Sequence, residues 1–145
     1  MNVYVAASLS SFRDAQQLAS DLTARGFNVV STWHGLVTAD SHDSKVSELE
    51  RRNIAVREMS EVYGADVVSA LLDVGNPRGA YVEVGLALGF GLPIVWRQKD
   101  GVGRTIFDGL SDVHRVQTSE EVIRALELLR DTTISKRLVE SEPPG

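Results

Sequence analysis

The chain has 145 residues, 43% hydrophobic and 24% charged, with a net charge of −5, the balance of one globular domain with a sizeable core. No block of Lys and Arg supplies the footprint of a nucleic-acid binder, so no nucleic-acid polymer is expected as a partner. The absence of cysteine excludes disulfides, thiolate nucleophiles and cysteine metal sites.

The opening MNVYVAASLSS lacks a basic leader and turns polar by Ser8; it does not read as a signal peptide, and a cytoplasmic protein is expected. Residues 2–7 form the first predicted strand. Ser11, with Asp14 three positions on, then reads as the capping pair of a helix whose stripe is Ala15, Leu18, Ala19 and Leu22. Gly26 ends that helix, residues 27–31 are a second strand, and a polar loop covers 33–44.

Ser47 and Glu50 make a capping box for a helix running to Tyr63 and stopped by Gly64. Residues 65–72 are an apolar, β-branched third strand, after which DVGNPRG leads into a helix starting near Arg78 or Gly79. Four glycines and Pro93 break the apolar run after residue 78, so it reads as a helix and a fourth strand (92–96), not a membrane span. The loop RQKDGVGRT precedes a short segment, 106–110, and a fifth strand, 113–116. Thr118 and Glu121 cap the last helix, with Val122, Ala125, Leu126 and Leu129 as its inner stripe. The domain is placed at 1–131, with 132–145 as a frayed tail.

Strands alternating with helices call for an α/β flavodoxin- or Rossmann-like three-layer sandwich around a five-stranded parallel sheet. Ligands of such sheets sit at the carboxyl ends of the strands. That rule brings 7–13, 31–34, 73–79 and 97–105 to one rim, and with them Ala7, Asn76 and Gly79 as candidate substrate-binding positions.

Glu83 stands out on this rim as a lone carboxylate in RGAYVEVGLALGFGLPIVW. A helix apolar all round is buried on more than one side, so its single carboxylate is expected to line a cleft. The nearby helix N-terminus favours the ionised form. Trp33, after strand two, reads either as an aromatic stacking surface for a planar ligand or as a loop anchor. His34, Asp40, His42 and Asp43 lack the spacing of known metal sites, and no metal or cofactor is expected. GVGRT lacks the ending and spacing of a phosphate-binding Walker loop.

The segment ADVVSALLDVGNPRGAYVEVGLALGFGLPIV, with the opening VYVAAS and the EM…GAD approach to strand three, resembles the nucleoside 2-deoxyribosyltransferase family, including its branch of nucleotide N-glycosidases. The resemblance implies an enzyme that cleaves the N-glycosidic bond of a (deoxy)nucleoside 5′-monophosphate. Glu83 would be the nucleophile and Tyr4 the hydroxyl that holds it. It puts the second acid at Glu58, where the hydrolase branch has an aspartate, with Asp73 as a competing carboxylate. On residues alone, Glu58 reads equally as an exposed partner of a neighbour such as Arg51.

The resemblance also implies phosphate binding at Ser8, Ser10 and Ser11, where hydroxyls and the helix N-terminus form an anion site and Arg13 assists. Plain serine capping is the alternative. Thr105 or Arg104 of one subunit would complete its partner's site, implying a homodimer with shared sites. The transferases often carry an aspartate six residues before the nucleophile, and Pro77 stands there. This favours hydrolysis over base exchange, and a silent nucleotide-binding module is the third reading.

Overall fold

A computed structural model of the protein describes residues 1–36, 46–73, 76–99 and 105–141. Five strands, β1 (Asn2–Ala7), β2 (Asn28–Val29), β3 (Val67–Leu71), β4 (Ile94–Arg97) and β5 (Val113–Val116), form one parallel sheet in the order β2-β1-β3-β4-β5. Helices α1 (Phe12–Ala24), α2 (Trp33–Leu36), α3 (Glu48–Tyr63), α4 (Arg78–Gly89) and α5 (Ser119–Ser141) connect them. The predicted α/β sandwich is the observed architecture, and the predicted fifth strand has the observed bounds.

The core follows from sequence pattern. β1 and β3 are interior strands, buried over nearly their whole length, and both read as continuous apolar runs. α4 packs on β1 and β3, and α3 packs against α4, where Tyr63 and Phe90 meet edge to face at 5.3 Å. α1 and α5 lie together, joined by Arg25–Glu127 at 3.4 Å and by Arg130 Nη1 donating to the Arg25 carbonyl at 2.8 Å. The Ser47–Glu50 capping box is complete, so α3 starts and ends as its sequence dictates.

Several boundaries differ for physical reasons. β2 spans two residues, not five, because the Val5 N–H donates to the Ser31 hydroxyl at 3.0 Å instead of continuing the backbone ladder. β3 is shorter at both ends, and Ala65 N–H turns back to the Val62 carbonyl. β4 begins after Pro93, which has no N–H for the ladder. Within the predicted 33–44 loop, Trp33–Leu36 is one helical turn, and 37–44 lie outside the described residues.

Ser11 does not cap α1 with its side chain. A 3-10 turn, Leu9–Ser11, precedes the helix; the Ser11 hydroxyl meets Ser8, and Asp14 is drawn away to Arg97. α5 runs past Thr132 to Ser141, extending the ordered chain beyond the boundary set at 131. No Gly or Pro interrupts it there, and the solvent-facing last turns need no partner to satisfy their intrahelical hydrogen bonds. Residues 142–145 lie outside the described residues.

Candidate active site

α4 begins after Pro77 and buries Ala80, Val84 and Ala87, small residues that let the helix lie close on β1 and β3. One turn in, this packing brings Glu83 over β1. The Tyr4 hydroxyl donates to Glu83 Oε1 at 2.6 Å, a contact joining residues 79 positions apart. Tyr4 is fully buried, and burial, then the charge of Glu83, pushes its phenol above the ordinary range. The phenol therefore stays protonated and acts as a donor.

Glu58, on the inward side of α3, reaches Glu83 in a side-chain hydrogen bond. Glu58 is thus half-buried and turned toward Glu83, not a fully exposed side chain. Two carboxyl groups so joined share a proton, and the pair titrates as a unit. Burial pushes Glu83 up to about 8, opposed by the Tyr4 hydrogen bond and reinforced by Glu58 and Glu61. The expectation that the helix N-terminus alone keeps Glu83 ionised is thus corrected. Glu83 lies in the second turn of α4, where the dipole has faded, and desolvation outweighs it.

This shift has a stability consequence with a definite sign. A carboxyl group raised in the folded state contributes stability that is complete below its unfolded value and is lost as pH rises through its folded value. Native stability should fall as pH rises from about 4.5 to about 8. Denaturant melts at intervals across that range should show the slope in the wild type and a flatter profile in Glu83→Gln. Equal slopes would remove Glu83 as its source.

Asp73 is engaged by a cation. Its side chain is 0% exposed, and Oδ1 accepts from Arg97 Nε at 3.2 Å and Nη2 at 2.9 Å. Arg97, at the end of β4, also donates through Nη2 to Asp14 Oδ2 at 2.6 Å and through Nη1 to Ser119 Oγ at 2.7 Å. Burial opposes the Arg97 charge, but the hydrogen bonds to Asp14 and Asp73 outweigh it and raise its proton affinity. Asp73 is therefore an ion-pair partner that ties β3 to β4 and α1, in place of a free acid. Asp66 is structural too, accepting the Asn2 N–H at 2.7 Å.

At the end of β1, Ala7 and Ser8 are buried. The Ser8 hydroxyl lies 3.0 Å from that of Ser10 and 2.9 Å from that of Ser11, so three hydroxyls converge before α1. Arg13 is exposed and stands 5.6 Å from the Phe12 ring centroid. Asn76 and Gly79 are exposed at the start of α4, and a side chain at Gly79 would meet open space. Thr105 caps the 3-10 turn Ile106–Gly109 by accepting from Phe107 N–H at 3.2 Å; residues 101–104, including Arg104, lie outside the described residues.

Trp33 is an anchor and not a stacking surface. It is 7% exposed and donates Nε1–H to the Val5 carbonyl at 2.7 Å. The ring of His34 packs edge-on to it and meets the Ser31 hydroxyl through Nε2 at 3.1 Å. Burial lowers the proton affinity of His34, with Ser31 and Glu61 acting against that trend. Among the described residues no group of three or more His, Asp or Glu is arranged to hold a metal, and Asp40, His42 and Asp43 lie outside them. Nor is any described helix long and apolar enough to cross a membrane.

Sequence reasoning missed Glu61, Thr32, Arg97 and Asp14. Arg97 carried a usable signal as the one charge ending the apolar strand IVWR on the ligand rim. Glu61 carried another, standing one helical turn after Glu58 on the same side of α3.

No protein-family model matches the sequence, and no curated protein matches it. Among solved structures it is similar to the CMP N-glycosidase of Clostridium botulinum, with 17% identity and a TM-score of 0.61 over 88% of this chain and 99% of that one. It is also similar to a 2-deoxyribosyltransferase of the psychrotolerant bacterium Bacillus psychrosaccharolyticus, with 17% identity and a TM-score of 0.64 over 85% of this chain and 90% of that one. At this identity the likeness establishes the fold, which is nucleoside 2-deoxyribosyltransferase-like.

Proposed function

We propose that the protein is an N-glycosidase acting on a (deoxy)nucleoside 5′-monophosphate, with Glu83 as nucleophile. One observation carries the reading. A half-buried carboxyl pair, Glu83 and Glu58, interacts directly while Tyr4 donates a hydrogen bond to Glu83. In the reactive form of the pair the phenol stabilises the charge on Glu83 and the shared proton lies on Glu58. That is the division of labour a glycosidic cleavage requires.

In the first step the Glu83 carboxylate forms a bond to C1′ as the bond from C1′ to the base nitrogen breaks. The electron pair of that bond leaves with the base, which takes its proton from Glu58. In the second step water adds to C1′, Glu58 accepts its proton, and the Glu83–sugar bond breaks to restore the carboxylate. Tyr4 keeps Glu83 in place throughout and stabilises its negative charge. The converging hydroxyls of Ser8, Ser10 and Ser11, before the N-terminus of α1, suit a phosphate group, with Arg13 at the mouth. Ala7, Asn76, Gly79 and Thr105 complete the proposed substrate-binding set.

The test is incubation with ribo- and deoxyribonucleoside 5′-monophosphates of each common base, followed by chromatography for free base. Release from at least one is expected. Release from none, with or without thermal stabilisation by a nucleotide, rejects the hydrolase. Incorporation of an added free base in preference to water would identify exchange instead. Pro77, which offers no carboxylate, is the observation against that outcome.

The proposal includes a homodimer. The outward side of α3 exposes Leu49, Val56, Met59 and Tyr63 at coiled-coil spacing, interrupted by Arg52. Next to it α4 exposes Val82 and Phe90, with open space over Gly85 and Gly89. A ridge beside a shallow groove is self-complementary under a two-fold axis, where the ridge of one copy meets the groove of the other. Sedimentation should give a dimer, and Val56→Glu with Tyr63→Glu should give a folded monomer. A wild-type monomer at micromolar concentration would reject this part.

A further inference from the structure

The two reacting carboxyl groups have a neighbour that the proposed reaction leaves unused. Glu61 sits one turn beyond Glu58 on the same side of α3, and its side chain is only 13% exposed. Both its oxygens are held by one residue. Thr32 donates its N–H to Oε2 at 3.2 Å and its hydroxyl to Oε1. Arg57 Nε lies 3.8 Å from Oε1.

Thr32 is itself fixed. The residues on either side of it are fastened to a single residue of β1: Val5 N–H donates to Ser31 Oγ at 3.0 Å, and Trp33 Nε1–H donates to the Val5 carbonyl at 2.7 Å. Val5 adjoins Tyr4, which holds Glu83. Two adjacent residues of one strand thus set the position of two carboxylates, Glu83 directly and Glu61 through Thr32. Such a tether holds a second carboxylate on α3 one turn from Glu58, where like charges repel, an arrangement that a purely mechanical link between a loop and a helix does not need.

We infer that Glu61 is a positioning residue of this site: an anion clamped by Thr32 that acts on the Glu58–Glu83 pair from the next turn of α3 without touching substrate. Its charge works in two ways. It opposes loss of the proton shared by the pair, so that an acid is available when the base departs. It also supplies a fixed negative charge near the positive charge that develops at C1′. The groups whose charge or hydrogen bonds act on Glu83 are Tyr4 from β1 and Glu58 and Glu61 from α3, while Arg57 adjoins Glu61 and the charge of Glu61 also acts on His34 of α2. The Arg97 cation of β4 is engaged with Asp14 and Asp73.

The inference concerns the same site as the proposed function, but its test does not depend on turnover. In Glu61→Gln an acceptor for Thr32 remains and the charge is gone. Carbon-13 NMR titration of the Glu side-chain carboxyls in the free protein should show the titration of the pair move down by about half a unit to one unit. Glu61→Asp, which keeps the charge, should move it less. If the protein releases base, the alkaline limb of kcat should move down in parallel in Glu61→Gln. An unmoved titration in a folded Glu61→Gln protein overturns the role of Glu61 and leaves the N-glycosidase reading intact. A moved titration in a protein that cleaves no nucleotide upholds Glu61 and rejects that reading.

Discussion

Replacing Glu83 by glutamine should reduce base release by at least ~10³-fold while nucleotide binding persists. Glutamine preserves an acceptor for the Tyr4 hydroxyl, so the 2.6 Å contact that positions the side chain is retained. It removes the negative charge that, in the proposed reaction, forms the bond to C1′. It also ends the sharing of a proton with Glu58, so both steps lose their chemistry together. Initial rates by chromatography, with binding followed by calorimetry, separate the two effects. A variant that binds nucleotide and still releases base at the wild-type rate would exclude Glu83 as the nucleophile.

The largest expected effect on stability comes from Arg97→Leu, a loss of about 3–5 kcal/mol. Arg97 lies within a strand end, with its side chain 7% exposed, and its partner Asp73 is 0% exposed. Leucine fills much of the aliphatic volume but leaves the Asp73 carboxylate buried with no cation. Asp14 also loses its partner, although its greater exposure lets water compensate. Urea unfolding should show a lowered midpoint at unchanged slope. Adding Asp73→Asn should recover part of the loss, since the uncompensated charge is then gone. A loss below about 1 kcal/mol would mean that the cluster is only loosely held.

What could be read from sequence divides along physical lines. The helix α3 was legible end to end because both ends are coded locally, by Ser47 with Glu50 and by Gly64. β5 was legible, though weakly patterned, as a short segment bounded by Val113 and Val116 between turn residues. β2 was not, because its extent depends on a competition between the ladder and the Ser31 side chain at Val5, which no local pattern encodes. The sequence singled out Glu83 as an oddity, and the family resemblance supplied Tyr4 and Glu58 as its neighbours. Which of the open readings of Asp73 and Trp33 applies could not be read locally for a shared reason: each is engaged by a long-range partner, Arg97 or the Val5 carbonyl. The charge state of Glu83 was also out of reach, since it depends on how deeply α4 is covered. Burial is a property of the assembled layers and not of a helix turn.

The strand order places β1 between two partners, one of them only two residues long. During synthesis β1 leaves the ribosome with its apolar residues Val3 to Ala7, and β2 supplies it with just two paired positions. Its main partner, β3, begins at Val67, after an entire crossover has been made. Until then one edge of β1 is a bare row of donors and acceptors with hydrophobic faces, the kind of strand that pairs readily with a neighbouring chain. The same residues that later aim Tyr4 at Glu83 are therefore the segment most dependent on rapid completion or on chaperone cover in the nascent protein.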